Sequence, residues 1–285
     1  MQTIFSQYHY LYLLSAIILG LIVGSFITMV IYRLPIIIGN SYKQNKNKSL
    51  NLFYPASHCT SCKNSLTVLQ KIPFFSYVAL GGKCGFCNEN IPKRYPVIEI
   101  FTSAITVLIS LRFGLGWELL VALLLTWTLI TLSVIDIDHN VIPNSITFPL
   151  ICFGLFISIF YPLEDSQIFF INTEDSIIGA IFGYTSLWCI NWIFLLITKK
   201  EGIGYGDFKL LAGIGAFLGW ELTLFIIVLS SILGSIIGIS LIMIKKIKRN
   251  HPIPFGPYIS ISAWLTMMYI KNDIFSLLTF LYKIT

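Results

Sequence analysis

Charged residues are scarce in this sequence. Only 11% of its 285 residues are Asp, Glu, Lys or Arg, whereas 56% are hydrophobic. A soluble globular domain usually has about 25% charged residues, so this shortage excludes an ordinary soluble enzyme or binding module. Apolar runs of about 20 residues, the length that crosses a bilayer as a helix, recur along the chain. The composition therefore predicts a polytopic membrane protein.

The common hydrolase and nucleotide-binding motifs are also missing. The sequence has no Gly-x-Ser-x-Gly, no His-Glu-x-x-His and no Gly-x-x-x-x-Gly-Lys-Ser/Thr, so it does not support a serine hydrolase, a zinc protease or a P-loop NTPase. The glycine-rich stretch 202–206 follows an apolar run and two lysines. Because no strand of a βαβ unit precedes it, this stretch does not indicate a dinucleotide site.

Eight apolar segments are predicted to cross the membrane. They cover residues 10–32, 95–113, 117–135, 142–161, 176–198, 208–220, 222–244 and 255–270. Segment 208–220 would rise only about 20 Å as a helix, which is short for a crossing. The basic residues on either side of 208–244 must nevertheless lie on one side of the membrane. We therefore expect eight crossings, with both termini outside the cytoplasm.

Lys and Arg are unevenly distributed, and their positions orient these segments. Of the 19 basic residues, 16 lie in the segments 33–94, 199–209 and 245–249. By the positive-inside rule, these three segments are cytoplasmic. Because the positive charge lies at the membrane boundary, it indicates contact with the lipid bilayer and not with nucleic acid.

Four of the six cysteines form two Cys-x-x-Cys pairs in the long polar segment between the first two spans. Cys59 and Cys62 are followed, after 21 intervening residues, by Cys84 and Cys87. Two such pairs can hold one zinc ion tetrahedrally, and so short a segment needs that stabilisation. Two disulfides are the alternative, but they require an oxidising compartment, whereas the charge pattern predicts a cytoplasmic location.

The other candidate ligands near or outside this segment are weaker. His58 adjoins Cys59 and is a reserve zinc ligand. Cys152 and Cys189 lie inside apolar segments, where a free thiol behaves as a small hydrophobic side chain. We expect these two cysteines to be buried packing residues.

Acidic residues are rare, and several fall at the same end of the predicted spans. Asp136 and Asp138 stand where the third span reaches the cytoplasm, and Asp207 stands where the sixth begins. Ionisable groups in a membrane bundle are costly and usually functional. Two facing carboxyl groups can share a proton and hydrolyse a peptide, one activating water and the other protonating the carbonyl and the leaving amine. Gly204 and Gly206 would let an extended peptide approach Asp207.

These acids also have plainer interpretations. Asp is a preferred N-cap, so Asp207 could cap the helix that follows it, while Asp138 and His139 could be solvated in a turn. Asp136 and Asp207 could also relay protons in a coupled transporter. A zinc-dependent adaptor without chemistry is a further alternative.

Glu99 is predicted to lie at the same membrane depth as these aspartates. It lies about one turn inside the second span, near the predicted cytoplasmic face. A buried carboxylate in a membrane bundle is usually paired, and we expect Glu99 to pair with Arg94 or Lys209.

Taken in chain order, these motifs resemble the type 4 prepilin peptidases, the bifunctional leader peptidase/N-methyltransferases of the Gly-x-Gly-Asp aspartic class. The similar stretches are GSFITMVIYRLP, CTSC with CGFC and IPKRYPVIE, DIDHNVIPNSITFPL, GYGDFKLLAGIGAFLGW and PFGPYIS. Because they keep the family's order and spacing and extend over residues 24–260, the resemblance is specific and covers most of the chain.

The resemblance implies an all-α polytopic membrane protein of about eight transmembrane helices with a small cytoplasmic zinc-binding insertion. Its parts would be a first span (1–33), a zinc segment associated with methyl transfer (34–94) and a membrane-embedded peptidase domain (95–285). The catalytic pair would be Asp136 and Asp207, because the family's first acid stands seven residues before the Pro of a Pro-Asn pair. Supporting residues would be Gly204, Gly206, Glu99, Asp138 and Lys209.

The implied function is removal of the basic leader from prepilins and pseudopilins at the cytoplasmic face of the inner membrane, in pilus assembly or secretion. Methylation of the new N-terminus would follow, with S-adenosylmethionine as methyl donor and zinc as a structural cofactor. A peptidase without methyltransferase activity is the alternative. Thr28, Thr60 and Lys71 stand where the family usually has Asn, Pro and Asn, all in or beside the region associated with methyl transfer.

Overall fold

The fold is mainly helical over the part of the chain that the structure, a computed structural model, describes. That part comprises residues 9–42, 51, 52, 54, 56–59, 61–67, 69–160, 172–199, 202–244 and 253–282, without the side chains of 40–42 and 270–282. These residues form no β-strand, only isolated bridges at His58–Ser65 and Lys83–Asn90. Thr60, one of the predicted departures from the family pattern, lies outside the described residues.

The helices follow the predicted apolar segments closely. They are α1 (His9–Tyr42), a short 3-10 helix (Leu69–Lys71), α2 (Phe75–Ala79), α3 (Arg94–Phe113), α4 (Trp117–His139), α5 (Asn144–Phe160), α6 (Thr173–Thr198), α7 (Tyr205–Met243) and α8 (Gly256–Tyr282). The first helix continues well past the predicted end of its span and contains Pro35. The prediction of an all-α polytopic membrane protein is confirmed.

The helices differ in whether they are long enough to cross a membrane. Within the described residues, α1, α3, α4, α6 and α7 are long and apolar enough to span a bilayer, whereas α5 is apolar but has only 17 residues. Helix α7 contains a break at Gly219, where φ is 81° and ψ is 173°, at the end of the span predicted at 208–220 and just before that at 222–244. Each of the eight predicted segments is helical over most of its described residues, and the number of crossings stays a prediction.

The chain forms two compact units, residues 1–127 and 128–285. In the first unit, α1 packs closely on α3 through small residues. A Cβ atom on Gly20 would lie 2.5 Å from Cα of Ser103, and one on Gly24 would lie 2.8 Å from Cα of Glu99. The Ser103 hydroxyl donates to the carbonyl of Ile17 at 3.0 Å. Such close backbone approach and inter-helix hydrogen bonding is how helices associate in lipid, where no hydrophobic drive exists.

The second unit holds α6 and the first segment of α7 together in the same way. A Cβ atom on Gly183 would lie 2.6 Å from the carbonyl oxygen of Leu211, and one on Gly179 would lie 2.8 Å from the carbonyl carbon of Gly219. The buried Ser176 hydroxyl donates to the carbonyl of Ala216 at 2.7 Å. This tight contact fixes the start of α7 against α6.

Two cysteines lie differently from the prediction. Cys152 on α5 and Cys189 on α6 are exposed on the isolated chain, not buried. Their neighbours Phe153, Trp188 and Ile190 are exposed as well, so these faces are apolar surfaces of helices. The sequence could not reveal this because an apolar helix in a membrane protein is hydrophobic on its outer face too.

Candidate active site

Asp136 lies in the last turn of α4 and is held by the start of α8. Only 5% of its surface is exposed. Its Oδ2 accepts a hydrogen bond of 3.0 Å from the backbone N–H of Gly256, a residue 120 positions away. A backbone donor in a packed helix start has little freedom to move, so it fixes the orientation of the Asp136 carboxyl group.

Asp207 lies in the first turn of α7 and is also buried, with 7% of its surface exposed. Its Oδ1 has no hydrogen-bond partner among the described residues. Gly206, which directly precedes Asp207, and Gly256, whose N–H binds Asp136, both lie against Ile142, so the turns that carry or hold the two acids meet at this residue. A buried carboxyl oxygen without a partner is unusual, and it leaves a position for a water molecule or a peptide carbonyl.

Asp207 is not the N-cap residue of its helix. Helix α7 begins at Tyr205 and its N-cap is Gly204. Asp207 is therefore the third residue of the helix, with its own N–H bound to the Gly204 carbonyl at 3.1 Å. Asp138 and His139 are exposed at the end of α4, so Asp136 is the buried member of the Asp-x-Asp pair.

Three glycines and Ile142 shape the surroundings of the two acids. A Cβ atom on Gly206 would lie 2.7 Å from Cβ of Ile142, and one on Gly256 would lie 2.9 Å from Cδ1 of the same residue. A Cβ atom on Gly204 would lie 3.3 Å from Oδ2 of Asp207. Gly206 and Gly256 thus allow the first turns of α7 and α8 to close on Ile142, which follows the acid-bearing end of α4.

Gly256→Ala is expected to reduce leader cleavage by displacing Asp136. The new Cβ atom would lie 2.8 Å from Oδ2 of Asp136, too close to be accommodated without moving the carboxyl group. Misplacing a catalytic group by about 1 Å can cost on the order of 100-fold in rate, so kcat should fall by roughly 10- to 100-fold. Gly234→Ala is the control, because its nearest contact, 3.3 Å from Tyr258, is remote from the acids. Equal kcat values for the two variants would contradict this role of Gly256.

The two Cys-x-x-Cys pairs fold into matching turns in the first unit. The N–H of Cys59 donates to the Asn64 carbonyl at 3.0 Å, and the N–H of Cys84 donates to the Glu89 carbonyl at 2.8 Å. The N–H of Lys63 and of Asn88 each return a bond of 3.0 Å to the first cysteine of their pair. Lys63 and Asn88 both have positive φ, 59° and 57°. The two turns are therefore built alike, each presenting its two thiols on one side.

These turns bring the four sulfur atoms together. The sulfurs of Cys59, Cys62, Cys84 and Cys87 all lie within 4.8 Å of one another, and those of Cys59 and Cys87 are 3.8 Å apart. Four ligands on a tetrahedral zinc with Zn–S bonds of about 2.3 Å would be about 3.8 Å apart. The arrangement fits zinc, and it does not form two disulfides. His58 lies outside the cluster, with its ring nitrogen on the Ala56 carbonyl at 2.9 Å.

The pKa values of the clustered thiols favour binding of a cation by the cluster. Backbone N–H groups of Cys62 and Ser61 lower the pKa of Cys59 to about 6. For Cys87 the Glu89 N–H also acts to lower the pKa, but desolvation and the three neighbouring thiols raise it to about 12. Four thiolates this close repel one another, and a bound divalent cation removes that penalty.

Comparison with known protein families finds a match in each of the two compact units. The family described as Bacterial Peptidase A24 N-terminal domain matches residues 18–113, and the Type IV leader peptidase family matches residues 123–239. Proteins named "Prepilin leader peptidase/N-methyltransferase" match along almost their whole length. That of Stutzerimonas stutzeri is 39% identical over 269 residues, covering 90% of this chain and 91% of the relative. The chain belongs to the type IV leader peptidase family.

Further relatives of this family agree. The Pseudomonas aeruginosa protein of the same name is 39% identical over 269 residues, covering 90% of each chain. The one from Dichelobacter nodosus is 38% identical over 265 residues, covering 88% of this chain and 89% of the relative. No solved structure matched the chain. The two matched ranges contain the four clustered cysteines and both buried aspartates, while Gly256 lies beyond them.

The structure gives Glu99 and Lys209 other partners than each other, and the alternative pairing of Glu99 with Arg94 stays a prediction. The Oε2 atom of Glu99 accepts a 2.7 Å bond from the N–H of Phe74, and the Ser25 hydroxyl also hydrogen-bonds to this carboxyl group. Phe74 has a positive φ of 58°, so Glu99 stabilises a strained turn of the insertion. Lys209 donates to Oδ1 of Asn144 at 2.8 Å, with its ammonium 5.1 Å from the Phe148 ring centroid.

The sequence interpretation missed three residues that build the site. Gly256, Ile142 and Asn191 were not candidates, yet Gly256 and Ile142 border the acids. Asn191 accepts bonds from the N–H groups of Gly202 and Ile203, just before Asp207. The sequence did contain one signal for Asn191: an amide side chain inside an apolar helix needs hydrogen-bond partners, and lipid offers none.

Proposed function

We propose that this protein removes the leader peptide of type IV prepilins and then methylates the new N-terminus. One observation carries the proposal: Asp136 and Asp207, far apart in sequence, are both buried in one unit with their supporting glycines packed on the same Ile142, and Asp207 keeps an oxygen without a hydrogen-bond partner among the described residues. The relatives found by comparison are named for both activities. Pseudopilins, which have the same kind of leader, are proposed as further substrates.

The two carboxyl groups would hydrolyse the scissile peptide by acid–base catalysis. The ionised member accepts a proton from a water molecule, whose oxygen attacks the peptide carbonyl carbon. The protonated member donates its proton to the carbonyl oxygen, and the tetrahedral intermediate then collapses as the leaving amine is protonated. The Gly256 N–H holds Asp136 in position, while the unpartnered Oδ1 of Asp207 is the atom we assign to the substrate or the attacking water.

The active site is proposed to face the cytoplasm. Asp136 lies at the end of α4 and Asp207 at the beginning of α7, so both acids stand at helix termini and not at mid-helix. The adjoining basic residues Lys199, Lys200 and Lys209 favour the cytoplasmic side of the inner membrane. A prepilin could then lie along the helices in the bilayer with its leader extending to the acids.

Two cofactors are part of the proposal. Zinc would be held by Cys59, Cys62, Cys84 and Cys87, where it stabilises the short insertion and leaves no open position for catalysis. S-adenosylmethionine would supply the methyl group. The insertion between α1 and α3 is proposed to take part in that transfer.

The decisive experiment uses the full chain in lipid with a full-length prepilin. Mass spectrometry of the pilin N-terminus is expected to show leader loss with or without S-adenosylmethionine, and one added methyl group only when it is present. A pilin that keeps its leader under both conditions would contradict the proposed function. Leader loss without methylation in the presence of the donor would leave the peptidase and remove the methyltransferase.

A further inference from the structure

A buried amide, Asn191, lies in the apolar helix α6 and points at the loop that leads to Asp207. It is 5% exposed, whereas Ile190 and Trp192 on either side of it are 47% and 52% exposed. Its Oδ1 accepts two backbone hydrogen bonds, from the N–H of Gly202 at 3.1 Å and from the N–H of Ile203 at 3.0 Å. One side-chain atom thus holds two consecutive peptide units.

The held segment is directly connected to the catalytic acid. Gly202 packs against the Phe194 ring, since a Cβ atom there would lie 2.7 Å from Cδ1. Gly204 follows, and its carbonyl accepts the N–H of Asp207 at 3.1 Å. Only a few peptide units therefore separate the atoms bound by Asn191 from the backbone that carries Asp207.

The described residues at the two ends of this loop have backbone geometry that leaves it room to vary. Helix α6 ends at Thr198, Lys199 is left-handed at φ 54°, and α7 starts at Tyr205 without a side-chain cap. Gly202 and Gly204 are flexible residues that lose much freedom when ordered. An acceptor that binds two consecutive N–H groups restricts this loop strongly, because both hydrogen bonds must break before the two peptide units can reorient.

We propose that Asn191 is a positioning residue for peptide cleavage: by holding Gly202 and Ile203 it sets the place of Asp207 relative to Asp136. The inference rests on the proposed peptidase function. It adds a residue on a different helix from either acid and assigns a role to an amide that contacts neither of them. Because it acts on geometry and not on substrate binding, its loss should appear in kcat.

The test compares Asn191→Leu, which removes the acceptor at similar size, with Asn191→Asp, which keeps an oxygen in the same place. Cleavage of a prepilin by the full chain in lipid is measured as kcat and KM, together with the thermal unfolding midpoint. Cys189→Leu is the control, since Cys189 is exposed on the same helix. We expect kcat of Asn191→Leu to fall roughly 10- to 100-fold with KM unchanged and unfolding as in the control. Asn191→Asp should stay within a few-fold of wild type.

Two results would overturn the proposal: wild-type kcat in Asn191→Leu, or equal loss of kcat in the leucine and aspartate variants. If Asn191→Leu does not fold, Asn191→Ser decides, because its shorter hydroxyl cannot reach both N–H groups. A similar fall in its kcat supports the inference, and wild-type kcat rejects it. Asp207→Asn is assayed in parallel, since cleavage by that variant would reject the peptidase function itself and not the role of Asn191.

Discussion

Replacing either Asp136 or Asp207 by asparagine is expected to abolish leader cleavage. Asparagine keeps the size and one carbonyl oxygen of the side chain but can neither accept the proton of water nor donate a proton to the leaving amine. General acid–base groups contribute on the order of 10²–10⁴-fold each, and groups that act as a unit lose most of the activity when one is removed. Co-expression with a prepilin, followed by mass spectrometry of the pilin N-terminus, measures the loss.

Glu118→Gln is the matched control for this experiment. It makes the same carboxyl-to-amide change on α4, but Glu118 lies in the first turn of that helix, at the opposite end from Asp136, so cleavage should remain close to wild type. Membrane levels and zinc content should be the same in all three variants, because none of the three replaced residues belongs to the zinc cluster. Cleavage that survives in Asp136→Asn or Asp207→Asn would reject the dyad and return that aspartate to a structural role.

The helices were predictable because membrane-spanning segments must consist mostly of apolar residues. A run of about 20 apolar residues has few alternatives to a helix in lipid, and each predicted segment is helical over most of its described residues. The exact ends were not predictable. Helix α1 continues through Pro35, and α7 starts two residues before Asp207, so Asp207 is inside the first turn and is not the N-cap residue.

The acids were predictable, but the groups that hold them were not. Asp136 and Asp207 stand out because carboxyl groups are rare and costly in an apolar chain. Their contact with Gly256 and the support of the preceding loop by Asn191 depend on residues brought together from different helices. A backbone N–H has no signature in a sequence, and a lone asparagine in a helix does not reveal which helix or loop lies opposite.

The same contrast applies to Glu99 and Lys209. Opposite charges at similar predicted depth suggested an ion pair, yet the structure gives Glu99 the Phe74 N–H and Lys209 the side chains of Asn144 and Phe148. Depth along the membrane normal can be read from the sequence, whereas rotation about each helix axis is set by packing. An ion pair requires a matching depth and a matching rotation of both helices.

The cysteine cluster, by contrast, was predicted in full, because the local turn determines the geometry. Each Cys-x-x-Cys pair needs only a tight turn. The two turns have equivalent backbone hydrogen bonds, and in each the residue directly after the second cysteine has a positive φ. Joining the pairs then requires only that the intervening residues fold back once. Spacing alone was therefore enough to predict four converging sulfurs.

Replacing Cys62 by serine is expected to lower the zinc content of the purified protein and to unfold the insertion locally. A structural zinc contributes folding free energy directly, and the insertion has little else, since Cys84 is the one apolar side chain there that is fully buried among the described residues 51–93. The destabilisation should be on the order of several kcal/mol. Elemental analysis measures the metal, and limited proteolysis of residues 51–93 measures the local unfolding.

Cys152→Ser provides the matched control, because it makes the same chemical change at an exposed thiol outside the cluster. Its zinc content and protease resistance should equal those of wild type. If Cys62→Ser also kept the wild-type zinc content, the four sulfurs would not be the metal site, and their convergence would need another explanation. If zinc fell while protease resistance stayed the same, the metal would be bound there without stabilising the insertion, and the argument from its small core would fail.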